Sequence, residues 1–131
     1  MNNIFLSDGE WKLMKQLWEN TPSTITKLVA LLKDETNWSK HTVITMLGRL
    51  EKKGAIKYED GGKAKLFYPN VKESEVTIEE TKGFLDKVYN GSISLLVNTM
   101  VKSQSVSKKE LEELYDILKE AEAKNDAGNT N

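Results

Sequence analysis

Cysteine is absent from this chain of 131 residues, and histidine occurs once, as His41. Without thiols there is no disulfide, no thiolate metal site, no cysteine nucleophile and no thiol-based redox sensing, and one imidazole cannot furnish a histidine-rich metal cluster. No Gly-rich phosphate cradle and no metal-ligand spacing occurs, and the carboxylates fall on faces that should be solvated. An enzyme is therefore the least favoured class, and no metal or cofactor is expected. Long apolar runs are missing too. Nothing approaches the roughly 20 residues needed to span a bilayer, and the amino terminus does not place a basic region before an apolar one. The chain is expected to stay in the cytoplasm, without direct membrane insertion. Proline occurs only twice, as Pro22 and Pro69, and each stands where a periodic segment ends.

What is present describes a globular chain: 38% apolar and 30% charged residues, enough for one domain or a small domain with an appendage. The net charge of −1 conceals an asymmetry: residues 1–70 hold eleven Lys/Arg against eight Asp/Glu, and residues 71–131 hold eight against twelve. Between Trp38 and Tyr68 seven cations (Lys40, Arg49, Lys52, Lys53, Lys57, Lys63, Lys65) face three anions (Glu51, Glu59, Asp60). Such clustering supports nucleic-acid binding, although a charge run is also the ordinary dress of a solvated face.

Ser7-Asp8-Gly9-Glu10 has the Ser-x-x-Glu form of a capping box, and Trp11, Met14, Leu17 and Trp18 follow on one helical face. The spacing predicts a helix from Asp8 to Glu19, broken at Asn20-Thr21-Pro22. Thr24 should cap a second helix that buries Ile25, Leu28, Val29 and Leu32. Ser39 should cap a third, ending at Lys53-Gly54. Two strands, Ala55–Tyr58 and Lys63–Tyr68, are expected around Glu59-Asp60-Gly61-Gly62 before Pro69 stops the second. Three short helices in tandem and a hairpin follow the order of a winged helix-turn-helix.

In the third helix Val43, Met46, Leu47 and Leu50 recur at helical spacing and should face the core. The opposite side carries His41, Thr42, Thr45, Gly48, Arg49 and Lys52. Short hydroxyls, a glycine and two long cations suit a major groove, where bases are read at close range and phosphates are neutralised at the edges. A solvated amphipathic helix remains the alternative. Lys63 and Lys65 are expected to alternate outward on the wing, either to contact phosphate or simply to keep an edge strand soluble.

After Pro69 three further helical segments are expected: Glu73 to Tyr89, with Ile78, Leu85 and Val88, stopped at Asn90-Gly91; Ile93 to Ser103, with Ile93, Leu95, Leu96, Val97, Met100 and Val101; and a helix capped by Ser107 with Leu111, Leu114 and Leu118 at heptad-like spacing. Residues 125–131 should fray. So much apolar surface in a short segment points to a homodimer interface, with fold-back onto the first three helices as the alternative. The expected domains are a DNA-binding domain over 7–70, a helical dimerisation domain over 71–124 and a flexible tail over 125–131. Leu85, Val88, Ile93, Leu96, Val97, Met100, Leu111, Leu114 and Leu118 are the candidate dimer residues.

The motif Trp38-Ser39-x-x-Thr42-Val43-x-Thr45-x-Leu47-x-Arg49-Leu50-x-x-Lys53-Gly54, followed by the wing and Tyr68, resembles the penicillinase repressors, also called β-lactamase and methicillin-resistance repressors. Copper-responsive repressors are their relatives. The likeness runs from Ser7 to Lys124 and includes Glu10-Trp11, Trp18 and Thr81-x-x-Phe84-Leu85. It implies a homodimeric repressor whose winged helices occupy the two half-sites of a double-stranded operator, a palindrome built around TACA and TGTA. Thr42, Thr45 and Arg49, with Lys40 and His41, are the matches implied to touch DNA. The resemblance also implies derepression by a membrane-bound sensor protease that cuts the second carboxy-terminal helix, where the matching bond is Thr99-Met100, just after Asn98. Some relatives carry arginine where this chain has Ile44; that residue is expected to pack on the neighbouring helix, with contact to a thymine methyl as the alternative. The paired-cysteine motif of the copper-responsive relatives is missing, which rules out copper sensing by that route.

Two other functions compete. A ligand-responsive regulator of the multiple-antibiotic-resistance type would need a pocket, for which no polar cluster in the apolar helices speaks. A winged helix can also serve as a protein-interaction adaptor, against which the basic third helix argues.

Overall fold

The computed structural model describes residues 4–128. The elements in order are α1 (Asp8–Glu19), α2 (Ile25–Thr36), α3 (Lys40–Lys52), β1 (Ile56–Asp60), β2 (Lys65–Pro69), α4 (Glu73–Tyr89), α5 (Ile93–Lys102) and α6 (Lys108–Gly128). The fold is thus mostly helical with one small hairpin, as expected. It divides into two compact units, one ending at Gly83 and the other beginning at Phe84.

In the first unit each helix begins where a side-chain oxygen can satisfy a backbone donor left free by the helix start. Ser7 and Glu10 form the full capping box of α1, Thr24 Oγ1 accepts from Lys27 N, and Ser39 Oγ accepts from Thr42 N. The turn between α2 and α3 is closed by Asn37, which takes the left-handed conformation at φ 50°, and by Trp38 N donating to Thr36 Oγ1. Leu13, Met14 and Leu17 of α1, Leu28 and Leu32 of α2, and Val43, Met46, Leu47 and Leu50 of α3 make one core with Ala55, Ile56 and Phe67. Ile4, Leu6 and Val76 complete it, while Trp11, Trp18, Ile25, Val29, Trp38 and Val71 pack around it half-buried. Trp18 Nε1 donates to the carbonyl of Val71 at 3.0 Å. The first unit therefore extends beyond residue 70: Val71 and Val76 belong to its packing.

The hairpin pairs Ile56 with Pro69, Tyr58 with Phe67 and Asp60 with Lys65. Here three expectations fail. β1 runs on to Asp60, Lys63 lies in the connecting turn rather than in a strand, and Pro69 is the last residue of β2 rather than its stop. Proline is tolerated there because a strand end loses little by lacking a donor. Nor do Lys63 and Lys65 alternate outward. Lys65 shares its side of the ribbon with Phe67, which is buried, because residues two apart lie on one face. Both lysines are nonetheless exposed, since the hairpin tip projects past the core. A bridge from Ser23 adds a third backbone to the sheet: Ser23 N donates to Phe67 O and Phe67 N to Ser23 O, at 3.1 and 2.8 Å.

In the second unit α4 ends as expected, with Asn90 at φ 51° and Gly91 at φ 82°, the left-handed pair that terminates helices. Ser92 caps α5, which ends at Lys102, and Ser107 exchanges backbone and side-chain hydrogen bonds with Glu110 at the start of α6. α6 is helical to Gly128, past Asn125, where the tail is expected to begin; residues 129–131 of the expected tail lie outside the described residues. No side chain from Phe84 to Gly128 is buried.

Candidate nucleic-acid interface

α3 is an amphipathic helix whose buried side, Val43, Met46, Leu47 and Leu50, fixes what the other side presents. At 3.6 residues per turn, His41, Thr45, Gly48 and Lys52 form a column opposite the core. Thr42 and Arg49 flank it on one edge, Lys40 and Ile44 on the other. All of these are exposed except Thr42, which is half-buried. Thr42 Oγ1 lies 3.1 Å from Ser39 Oγ, and Thr45 Oγ1 donates to the carbonyl of His41 at 3.0 Å. That bond commits the hydroxyl hydrogen of Thr45 and leaves its oxygen able to accept. Ile44 departs from expectation: it is 43% exposed rather than packed on a neighbouring helix.

Gly48 stands in the middle of the column, and a Cβ added there would meet nothing within 4 Å. The fold gains nothing from glycine here, and glycine inside a helix costs about 1 kcal/mol relative to alanine. Its effect is on the outer surface, where it lowers the ridge between Thr45 and Lys52.

Not every cation of the motif is available. Lys53, at the carboxy-terminal cap of α3, is folded inward: its ammonium lies 2.6 Å from Glu10 Oε1 and donates to the carbonyl of Phe5 at 2.8 Å. Glu10 is only 2% exposed. Burial pushes its carboxyl up, but the hydrogen bond from Lys53, the backbone and hydroxyl of Ser7 and the Lys53 charge together outweigh it and hold Glu10 below the usual carboxylate range. This pair ties α1 to the end of α3. Counting charges along the chain could not separate Lys53 from Lys52; only the Ser7-x-x-Glu10 box, which places Glu10 at the same end of the bundle, hints at it.

The wing tip turns at Gly61 and Gly62. Gly61 N donates to the carbonyl of Ala64 at 2.9 Å, and a Cβ on Gly61 would stand 2.6 Å from that oxygen, so the turn requires glycine. Gly62 has φ 90° and its N–H donates to Asp60 Oδ1. The Lys65 ammonium lies 4.3 Å from the centre of the Tyr58 ring, a cation–π contact that holds it beside the ribbon. Tyr58, unremarked in the sequence, thereby becomes part of the wing surface. The register explains it, since Tyr58 opposite Phe67 is the diagonal neighbour of Lys65. Among the described residues no group of three or more histidines or carboxylates is placed to hold a metal, and no helix is long and apolar enough to cross a membrane.

The other residues singled out lie in the second unit. Leu85, Leu96 and Leu114 are half-buried, while Val88, Ile93, Val97, Met100, Leu111 and Leu118 are exposed. Leu96, Val97, Met100, Leu114 and Ile117 line an apolar groove between α5 and α6. Asn98, Thr99 and Met100 are exposed on α5.

Three helices in tandem, the last turning a polar and basic side outward, and a two-stranded ribbon behind them define a winged helix-turn-helix protein. The penicillinase repressor family model matches residues 6–120, and the chain belongs to that family. It is 33% identical over 115 residues to the penicillinase repressor of Bacillus licheniformis, covering 88% of this chain and 90% of the relative. To the methicillin resistance regulatory protein MecI of Staphylococcus aureus strain N315 it is 32% identical over 113 residues, 86% of this chain and 92% of the relative. Among solved structures it is similar to that of the monomeric form of Bacillus licheniformis BlaI in complex with the blaP half-operator, at 33% identity and a TM-score of 0.50, over 56% of this chain and 89% of that one. These relatives are regulators, not enzymes.

Proposed function

We propose that the chain is a cytoplasmic transcriptional repressor that binds a palindromic operator as a homodimer and controls resistance genes of the β-lactamase type. The observation that carries this reading is the outward column of α3. Thr45 and the bare backbone of Gly48 allow close approach to base edges, the His41 imidazole can hydrogen-bond there, and Lys40, Arg49 and Lys52 supply charge; Thr42 lies beside them. Lys63 and Lys65 on the wing would meet phosphate. The BlaI structure holds a half-operator, which agrees with one winged helix reading one half-site.

Dimerisation is supported by the second unit. None of this unit's described side chains is buried, and exposed apolar positions such as Leu111, Ile117 and Leu118 invite cover. The groove between α5 and α6 would seat a helix of a second copy, and its apolar lining favours this over a polar ligand. Derepression would follow from a cut at or near Thr99-Met100 by a membrane-bound sensor protease. α5 has ten residues and no buried side chain; a helix so short is marginal by itself and opens readily to a protease. Mass spectrometry of the protein from induced cells checks this step, and an intact chain on a derepressed promoter would point to another signal.

Binding itself is tested by titrating the full chain against an operator-like TACA/TGTA palindrome and a random duplex. Arg49→Ala and Thr45→Ala should reduce discrimination between the two, whereas Lys63→Ala should weaken both alike. Affinity should fall by roughly 10³ to 10⁵ between about 50 and 200 mM salt if about 6 to 10 phosphates are contacted per dimer. Salt-independent binding, or equal losses for all three variants on both duplexes, would refute the assignment.

A further inference from the structure

We propose that Ile44 is a specificity-determining residue that reads the C5-methyl group of a thymine in each half-site. The inference rests on the operator-binding reading above. Isoleucine on a globular surface is ordinary when isolated, but the placement of Ile44 is particular. It lies on the edge of the outward column of α3, 43% exposed, outside both the buried core and the half-buried side chains that pack around it. Four residues on, one helical turn along and within the column itself, is Gly48, where an added Cβ would meet only open space.

The pair makes a step: a branched apolar side chain beside a gap in the ridge. A helix docked by its outward column would bring the Gly48 backbone close to the groove floor and press Ile44 against it. The major groove exposes donors, acceptors and, at thymine, one apolar group, the C5-methyl. Isoleucine can neither donate nor accept a hydrogen bond, so opposite a guanine, adenine or cytosine edge it would strip water from polar atoms without replacing it. Opposite thymine it covers a methyl group. Neighbouring Thr45 and His41 can satisfy polar edges to one side, which leaves Ile44 free to discriminate by shape and hydrophobicity alone.

The test uses the full chain and a duplex enriched by it from a random-sequence pool. Each thymine of the enriched sequence is replaced in turn by deoxyuridine, which removes only the methyl group. At one thymine per half-site the replacement should weaken binding roughly fourfold, the effect of one buried methyl. The Ile44→Ala chain should bind the thymine and deoxyuridine duplexes equally, while Ile44→Val keeps the sensitivity. Because the side chain is exposed, both variants should melt with the unaltered protein. If the chain binds its enriched duplex but no methyl effect depends on Ile44, this inference falls and the operator-binding reading stands. If no duplex is enriched, both fall.

Discussion

Glu10 is buried and keeps its charge because Ser7 N and Lys53 Nζ both donate to its carboxylate. A carboxyl held below its ordinary range contributes stability that is complete above the unfolded value, about 4.3, and is lost as pH falls through the lower folded value. Glu10→Gln should therefore lower stability near neutral pH. Lys53 is 39% exposed, so solvent screens the pair and the loss should be about 1 to 2 kcal/mol rather than the full cost of a buried ion. Thermal melts of both proteins should differ at about pH 7 and draw together as the pH falls through the lowered range of Glu10, because the protonated carboxyl resembles glutamine. A difference independent of pH would mean that the amide is poorly packed and that the charge is irrelevant. Gly48 makes the opposite prediction. Gly48→Ala fills open space on an exposed helix and should stabilise by about 1 kcal/mol, while the added methyl on the outward column weakens specific operator binding. Raised stability with unchanged affinity would show that α3 does not dock by that column.

At the scale of elements, the helices of the first unit were legible because each has a polar cap and an apolar period that agree: Ser7, Thr24 and Ser39 begin α1, α2 and α3 where the side-chain pattern begins. The outward face of α3 was legible for the same reason, as the complement of Val43, Met46, Leu47 and Leu50. The wing was read less well. Alternation along Lys63–Tyr68 is weak, and the turn between the strands is set by a backbone contact, Gly61 N to Ala64 O, that no residue type announces. Apolar flank residues usually pack, and only the fold shows Ile44 43% exposed and outside the core and its half-buried surround. The tight turn yields a prediction. Gly61→Ala must move the Ala64 carbonyl and with it Lys63, yet the tip lies outside the core. Its stability should fall by about 1 kcal/mol, the cost of a strained turn rather than of a damaged core, while affinity for operator and random duplex falls together, as for Lys63→Ala. A loss confined to the operator would mean that the wing reads bases.

For the whole molecule the two units differ in what they can do alone. Among the described residues the first buries fifteen apolar side chains, enough to hold its fold, so one copy should bind one half-site. Among its described residues the second buries none, so on the dimer reading its stability should depend on a second copy. Leu114, half-buried, and Leu118, 63% exposed, are both expected in packed positions; within one chain only Leu114 approaches that state. Leu114→Asp places a charge in the groove between α5 and α6 and should shift the protein from dimer to monomer, because an unpaired charge in an apolar interface costs several kcal/mol. The first unit should be untouched, so binding to a single half-operator duplex should equal that of the unaltered chain. Binding to the full palindrome should weaken by about 10² to 10⁴, the advantage of tethering two readers. Sedimentation together with titrations of both duplexes measures the two effects separately. A monomeric variant that still binds the full operator tightly would show that dimerisation does not link the half-sites, and a variant that remains dimeric would move the interface away from this groove.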